Sequence, residues 1–411
     1  MNMADSHCHS ADSSDGRMDM SALVGALVRA SEKAAALARA CRAEEELFSL
    51  LVEEKGEADK NPRFLRDFKT LADVLIQEMV RHDLSQLDSG FGARVKGEES
   101  NQFTNGLGET ICVEVCPTPE ETAELLARVL DGNREAAGKL ARVVHSDIDS
   151  PEEVCLPNAG KIDLGNHGVW IDPIDSTSEY IGGHWGEEDG SGLVPSGLQC
   201  VCVLIGVHTL AEGAPVVGVV NQPFHHLDHR GRPVGRCYWA VASVPSPVMS
   251  RSITRDEDKA ASQRHRPIVL LSVGESEAVI EMLQNKGFEV KFAAGAGYKL
   301  LCVVLQRVDV YLLSKGTTFR WDTCAPHALL AARDIPLHRF RDISLSVTAL
   351  SSMPEVGALN YAQPDGVLER LGPSAKWRNS GCLFACLNPV HAAAVDDILR
   401  TLAVAALSDL A

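Results

Sequence analysis

Val169-Trp170-Ile171-Asp172-Pro173-Ile174-Asp175-Ser176-Thr177 is the stretch on which the reading turns. Its three leading apolar residues predict a short strand. Two aspartates end that strand, followed by two hydroxyl residues and a predicted helix. Carboxylates are hard oxygen ligands that suit Mg²⁺. Pro173 stiffens the turn and has no N–H of its own to satisfy, which leaves the Ile174 carbonyl to face an ion. The N–H groups of Ser176 and Thr177 fall at a helix start, where unpaired donors and the helix dipole stabilise a phosphate. The same residues also fit a plain strand with an Asx turn capping a helix. Taken alone, the segment leaves both readings open. Its D-x-x-D spacing does exclude the D-x-D-x-T of phosphatases with an aspartyl nucleophile.

Outward from this strand, helical and strand-like patterns alternate. Leu23, Leu27, Ala30, Ala34, Leu37 and Cys41 recur at steps of three and four, and Phe48 and Leu51 extend that stripe, so Ser21 to Leu51 reads as a helix. Glu53 to Asn61 reads as a charged connection. Thr70 to His82 and Pro119 to Leu130 read as two more helices, the latter opened by Thr118, Pro119 and Glu121 in a capping box. Gln199 to Val207, Pro215 to Val220, Ile268 to Leu271 and Val308 to Leu313 are β-rich. Glu275 to Gly287 and Asp322 to Ala332 are helical. Such alternation without a repeat predicts packed layers of helix and sheet. The expected organisation is a disordered tail at 1–20, an α+β lobe at 21–242, a polar connecting loop at 243–266 and an α/β lobe at 267–411.

Composition narrows the function. The chain has 411 residues, and 39 Lys and Arg against 56 Asp and Glu leave a net charge of −17. That acidity predicts no nucleic-acid groove and no anionic-membrane surface. No apolar run is long enough for a bilayer, and the polar N-terminus predicts no secretory signal. The 12 cysteines include no C-x-x-C pair and sit in apolar strings such as Leu198 to Ile205, which predicts buried free thiols in a reducing, cytoplasmic setting.

Three further acidic pieces are each bland alone. Thr70-Leu-Ala-Asp73 reads as a helix start with an exposed first-turn acid. Gly97-Glu98-Glu99-Ser100 reads as a solvated turn. Trp321-Asp322-Thr-Cys-Ala-Pro326-His327-Ala328 reads as an N-cap with a proline tolerated in the first helical turn.

In the order T-x-x-D, G-E-E-S, D-P-I-D-S-T, W-D-x-C-x-x-H-A, these pieces resemble the signature of the lithium-sensitive, Mg²⁺-dependent phosphatase family. That family includes inositol monophosphatase, the 3′,5′-bisphosphate nucleotidases and, more distantly, fructose-1,6-bisphosphatase. Ser31 to Ala35, Ala40 to Arg42, Leu140 to His145 and Ala294 to Val304 bring the match closer to the branch acting on inositol polyphosphates. The resemblance spans roughly residues 22–335, and 343–375 offers few anchors.

The resemblance implies an α/β/α/β/α sandwich with the site between two lobes. It implies Glu98, Asp172, the Ile174 carbonyl, Asp175 and Asp322 as ligands of two or three Mg²⁺, with Glu99 as a partial ligand. Asp73 would hold a weaker ion near the attacking water, and Thr177 with Glu98 would orient and deprotonate that water. Asp175, Ser176, Thr177, Gly295, Ala296 and Lys299 would meet the substrate. The implied reaction removes the 1-phosphate of inositol 1,4-bisphosphate and inositol 1,3,4-trisphosphate, with Li⁺ as inhibitor and a monomeric enzyme. A 3′(2′),5′-bisphosphate nucleotidase, a broader phosphomonoesterase, or an inactive inositol-phosphate-binding relative are the alternatives. One departure stands out. Ser272-Val-Gly-Glu275-Ser-Glu277 offers a Ser272–Glu275 capping box and places acid where the branch carries base.

Overall fold

In the computed structural model, the described residues are 17–43, 52–55, 68–148, 154–156, 159–243, 247–253, 265–340, 356–357, 359–364 and 375–408. The apolar stripe near the start winds into α1 (Met20–Ala43), which buries Leu23, Leu27, Ala30, Ala34, Leu37 and Cys41. Just before it, Met18 and Asp19 pair with Ile162 and Lys161. Residues 17–20 of the expected tail are thus ordered; residues 1–16 lie outside the described residues, as do Phe48 and Leu51. Val52–Glu54 does not act as a bare connection. It pairs with Phe68–Thr70, because alternating backbone donors there find a partner strand. Next come α2 (Leu71–Ser85), β1 (Val95–Gly97), α3 (Pro119–Val129) and α4 (Arg134–Val144). The expected capping box of Thr118 and Glu121 opens α3, with Pro119 at its first position.

The first sheet is built from β1, β2 (His167–Asp175), which leads into the short α5 (Thr177–Gly182), then β3 (Cys202–Thr209), β4 (Pro215–Leu227), β5 (Pro233–Val241) and β6 (Val248–Met249). Its six strands run in the order β6-β5-β4-β3-β2-β1, parallel only between β1 and β2. Strand β6 thus falls inside the stretch expected as a polar loop. The second sheet follows from β7 (Ile268–Leu271), α6 (Glu277–Asn285), β8 (Glu289–Phe292), α7 (Ala296–Val304), β9 (Val310–Leu313), α8 (Arg320–Ala331), β10 (Leu337–Phe340), β11 (Val356–Gly357), β12 (Cys382–Cys386) and α9 (Pro389–Ser408). Its order is β8-β7-β9-β12-β10-β11.

Alternation along the strands decides the layering. Val203, Ile205 and Val207 of β3 face the core made by α1 to α4, whereas Cys202 and Leu204 face α7 and α8. In the second sheet, Leu270, Tyr311 and Leu313 face that same layer of α7 and α8, and Val269, Leu271, Val310 and Leu312 face α6 and α9. Both sheets are covered on both sides, so the molecule is an α/β/α/β/α sandwich. Helix α8 presses directly on the first sheet. A Cβ at Gly206 would lie 2.6 Å from the Ala325 nitrogen, and one at Gly218 would lie 2.1 Å from the Ala325 oxygen. These glycines let the helix seat its N-terminal end beside β2 and β3. Among the described residues no disulfide forms, and Cys200, Cys202, Cys302 and Cys324 are buried thiols. Of the sparse 343–375 stretch, only 356–357, 359–364 and 375 are described.

Candidate active site

A regular strand sends residues three apart to opposite faces, so Asp172 and Asp175 should diverge. Between them β2 bulges: Asp172 pairs with Leu204 and Asp175 with Cys202, so three steps on one strand match two on the other. The extra residue turns both carboxylates to the same side. There they meet Asp322, and ligand atoms of all three lie within 4.8 Å of one another.

Asp322 reaches this point as the third residue of α8, not as its cap. Its Oδ2 accepts the Phe319 N–H at 2.5 Å, which starts the helix at Arg320. Pro326 therefore falls at the seventh position of α8 rather than in its first turn. Asp175 lies against the N-terminus of α7, where it accepts the Ala296 N–H at 3.3 Å and the Gly297 N–H at 2.8 Å. Gly295 has φ +73°, and a Cβ there would be 2.7 Å from Ser176 Oγ. Lys299 is no surface charge: it is 3% exposed and donates to the Ala293 carbonyl at 3.0 Å. The Ile174 carbonyl accepts the Thr177 hydroxyl at 3.1 Å.

The second wall comes from α2 and β1. Thr70 caps α2, and Asp73 Oδ2 accepts its N–H at 2.7 Å and its hydroxyl at 2.5 Å. Asp73 is fully buried rather than an exposed first-turn acid. Its Oδ1 has no hydrogen-bond partner among the described residues, and neither has Ser176 Oγ. Gln77 pins the Glu98–Glu99 turn by donating to the Glu99 carbonyl at 2.5 Å and accepting the Glu99 N–H at 3.0 Å. A Cβ at Gly97 would be 2.0 Å from Gln77 Oε1, so this contact requires glycine. The turn is not a solvated one, since the Glu99 side chain is 4% exposed. Lys55 Nζ stands 2.5 Å from Glu98 and 2.7 Å from Glu99.

A cavity of about 290 Å³ opens on this cluster. Glu98, Ile174, Asp175, Ser176, Thr177 and Asp322 line one side, with Gly295, Ala296 and Lys299 adjoining. Ser272, Thr317, Thr318 and Phe68 also line it. Burial pushes Asp73 up to about 7, against the pull of Thr70 and Lys55. It pushes Glu99 up to about 8 and Asp175 up to about 6. Burial and then repulsion from Glu98 and Asp175 hold Asp172 well above the usual carboxylate range, and Asp322 is raised by burial and by Asp175 and Glu98. Carboxylates this crowded and this dry are costly together unless a cation joins them. The all-oxygen donor set fits a hard divalent ion.

Residues 32–333 match the inositol monophosphatase family. The chain belongs to that family. An inositol polyphosphate 1-phosphatase from Bos taurus is 45% identical over 76% of this chain and 82% of its own. The Homo sapiens protein of that name is 40% identical over 89% of this chain and 94% of its own. A 3′(2′),5′-bisphosphate nucleotidase 1 from Dictyostelium discoideum is 28% identical over 44% of this chain and 54% of its own.

For this member of the inositol monophosphatase family, metal-dependent phosphatases, the structure brings together Asp172, Asp175 and Asp322, with Glu98, Ile174, Ser176 and Thr177 lining the same cavity. Asp73 and Glu99 are buried and sense Glu98 electrostatically, without lining the cavity. Sequence reading missed Lys55, Gln77, Phe68, Thr317 and Thr318. Gln77 had a signal: it stands four residues after Asp73 on a face otherwise apolar, so both polar groups project together into the interior. The Ser272–Glu275 capping box does not form. Helix α6 begins at Glu277 with Ser276 as its cap, because the carboxylate of Glu275 accepts from Ser314 and from the Ser276 N–H at 2.9 Å instead.

Proposed function

We propose that this phosphatase removes the 1-phosphate from inositol 1,4-bisphosphate and inositol 1,3,4-trisphosphate with Mg²⁺. The observation carrying this reading is the meeting of Asp172, Asp175 and Asp322 within 4.8 Å beside the cavity. Asp172, Asp175, Asp322, Glu98 and the Ile174 carbonyl would hold two ions, Glu99 assisting, and Asp73 would hold a weaker third through its unpartnered Oδ1. Bound Mg²⁺ supplies a more acidic water, screens the phosphate oxygens and stabilises the leaving alkoxide.

The chain's own residues do the rest. Thr177 donates its hydroxyl proton to the Ile174 carbonyl, so its lone pairs face outward to accept a hydrogen bond from water and orient it. Glu98 lines the cavity and takes the proton that this water loses. Ser176 Oγ, buried and unpartnered among the described residues, donates to a phosphate oxygen. Asp175 and the backbone at Gly295 and Ala296 meet the inositol ring; the missing Cβ at Gly295 lets this backbone pack closely against Ser176 Oγ and Asp175 Oδ2, which line the same cavity. Lys299 supplies positive charge toward the second phosphate.

The relatives support inositol phosphates over nucleotides, since likeness to the inositol polyphosphate 1-phosphatases extends over far more of the chain. The test is phosphate release from inositol 1,4-bisphosphate and from adenosine 3′,5′-bisphosphate, with and without Mg²⁺ and Li⁺. The expected result is Mg²⁺-dependent, Li⁺-inhibited release, faster from the inositol substrate. Faster release from the nucleotide makes the chain a nucleotidase, and no release from either favours an inactive relative that binds inositol phosphates.

We also take residues 21–242, with β6 completing their sheet, and 267–411 as two lobes, in a monomeric cytoplasmic enzyme. No helix among the described residues is long and apolar enough to cross a membrane. Sedimentation at the mass of one chain is the expected result, and a dimer mass refutes it.

A further inference from the structure

The loop from Ser272 to Ser276 joins β7 to α6, and the loop from Ser314 to Phe319 joins β9 to α8. Ser272 and Val273 of the first and Thr317 and Thr318 of the second line the cavity. Three hydrogen bonds tie these loops together, and they run in both directions. Glu275 Oε2 accepts the Ser314 N–H at 3.3 Å, and Glu275 Oε1 accepts the Ser314 hydroxyl. In return, Lys315 Nζ donates to the Gly274 carbonyl at 2.7 Å. Within the first loop, the Glu275 N–H closes a turn on the Ser272 carbonyl at 3.0 Å. Glu275 is half-buried, so water does not fully compete for its carboxylate. Bonds to an ionised acceptor are also the stronger kind. The acid that departs from the expected basic pattern at this position therefore has a specific structural partner.

We propose that Glu275 is a positioning residue for substrate: it locks the two loops in register, so that Ser272, Thr317 and Thr318 form one wall of the cavity for the part of the substrate remote from the scissile phosphate. This rests on the inositol-bisphosphate reading above. A substrate that fills the cavity needs that wall. A small phosphate ester that reaches only the aspartate cluster does not. Glu275 touches no reacting atom, so its loss weakens binding of the large substrate and leaves turnover intact. Holding that wall in place before the ligand arrives lowers the ordering cost of binding.

The test compares the wild type with Glu275→Ala and Glu275→Gln in the full chain, using inositol 1,4-bisphosphate and 4-nitrophenyl phosphate. Glu275→Ala should raise KM for the bisphosphate about fivefold or more, at nearly constant kcat, and leave both constants for the small ester unchanged. Glu275→Gln, which keeps one uncharged acceptor oxygen for Ser314, should recover part of the loss. Amide hydrogen exchange should quicken in 272–276 and 314–318 of Glu275→Ala and nowhere else. Unchanged KM for the bisphosphate, or an equal fall in kcat for both substrates, overturns the proposal. A wild type that cleaves the small ester but not the bisphosphate overturns the substrate reading instead. The exchange measurement then judges the loop lock alone, and unaltered exchange rejects it.

Discussion

At the level of single residues, the site is a compromise between charge and burial. Asp172 is 1% exposed and faces two other carboxylates. Replacing it by asparagine keeps the shape and removes one charge. The metal-dependent rate of Asp172→Asn should fall by at least ~100-fold, beyond what loss of a merely supporting group costs a metal site. Its metal-free melting temperature should rise at alkaline pH, where the ionised Asp172 is otherwise a buried like charge among carboxylates, and change little at acidic pH. Calorimetry beside a phosphate-release assay checks both. A lower metal-free midpoint would contradict the repulsion argument. The motif residues were legible in the sequence as types and spacings. Their burial was not. Asp73 reads as an ordinary first-turn acid until α2 is seen packed against the first sheet, with Gln77 and the Glu98–Glu99 turn covering it.

Elements carry the aspartates to their places, and two devices matter. The bulge in β2 reverses the facing of Asp175 relative to Asp172. The glycines of β3 and β4 let α8 lie close enough for Asp322 to join them. Gly218→Ala would place a Cβ 2.1 Å from the Ala325 oxygen. It should cost ~1–3 kcal/mol of stability, as overpacking does, and lower the metal-dependent rate by moving the helix that bears Asp322. Denaturant unfolding and kinetics on the same sample test this, and full activity in a destabilised variant would detach α8 position from catalysis. Helix periodicity and capping were readable here, as α3 shows with Thr118 and Glu121. The cap of α8 was displaced by three residues, from Asp322 to Phe319, since a carboxylate at the third position caps the helix backwards as well as an N-cap caps it forwards.

For the whole molecule, the crowded carboxylates link stability to pH and metal. Asp73, Glu99 and Asp175 titrate at about 7, 8 and 6 in the folded protein, whereas carboxylates in an unfolded chain titrate near ~4. Between those limits the folded state holds protons that the unfolded state has released. Stability of the metal-free protein from these groups is therefore intact below about pH 4 and declines as pH rises toward about 8. The proposed Mg²⁺ would bind the ionised folded form and oppose that decline. The melting-temperature gain from saturating Mg²⁺ should be several degrees larger at pH 8 than at pH 5.5. Scanning calorimetry at both values decides it, and equal gains would mean that the buried acids are not where the ion binds.

The chain by itself determined the family, the layered class and most of the acidic residues, because apolar periodicity, capping and motif order are local properties that a linear string preserves. Only the tertiary structure decided that the aspartates converge, that Lys299 and Asp73 are buried, and that Glu275 joins two loops rather than capping a helix. Those outcomes depend on a strand bulge, on close helix–sheet approach at glycine, and on partners such as Ser314, which lies 39 residues from Glu275, and none of these has a signature within a short window of sequence.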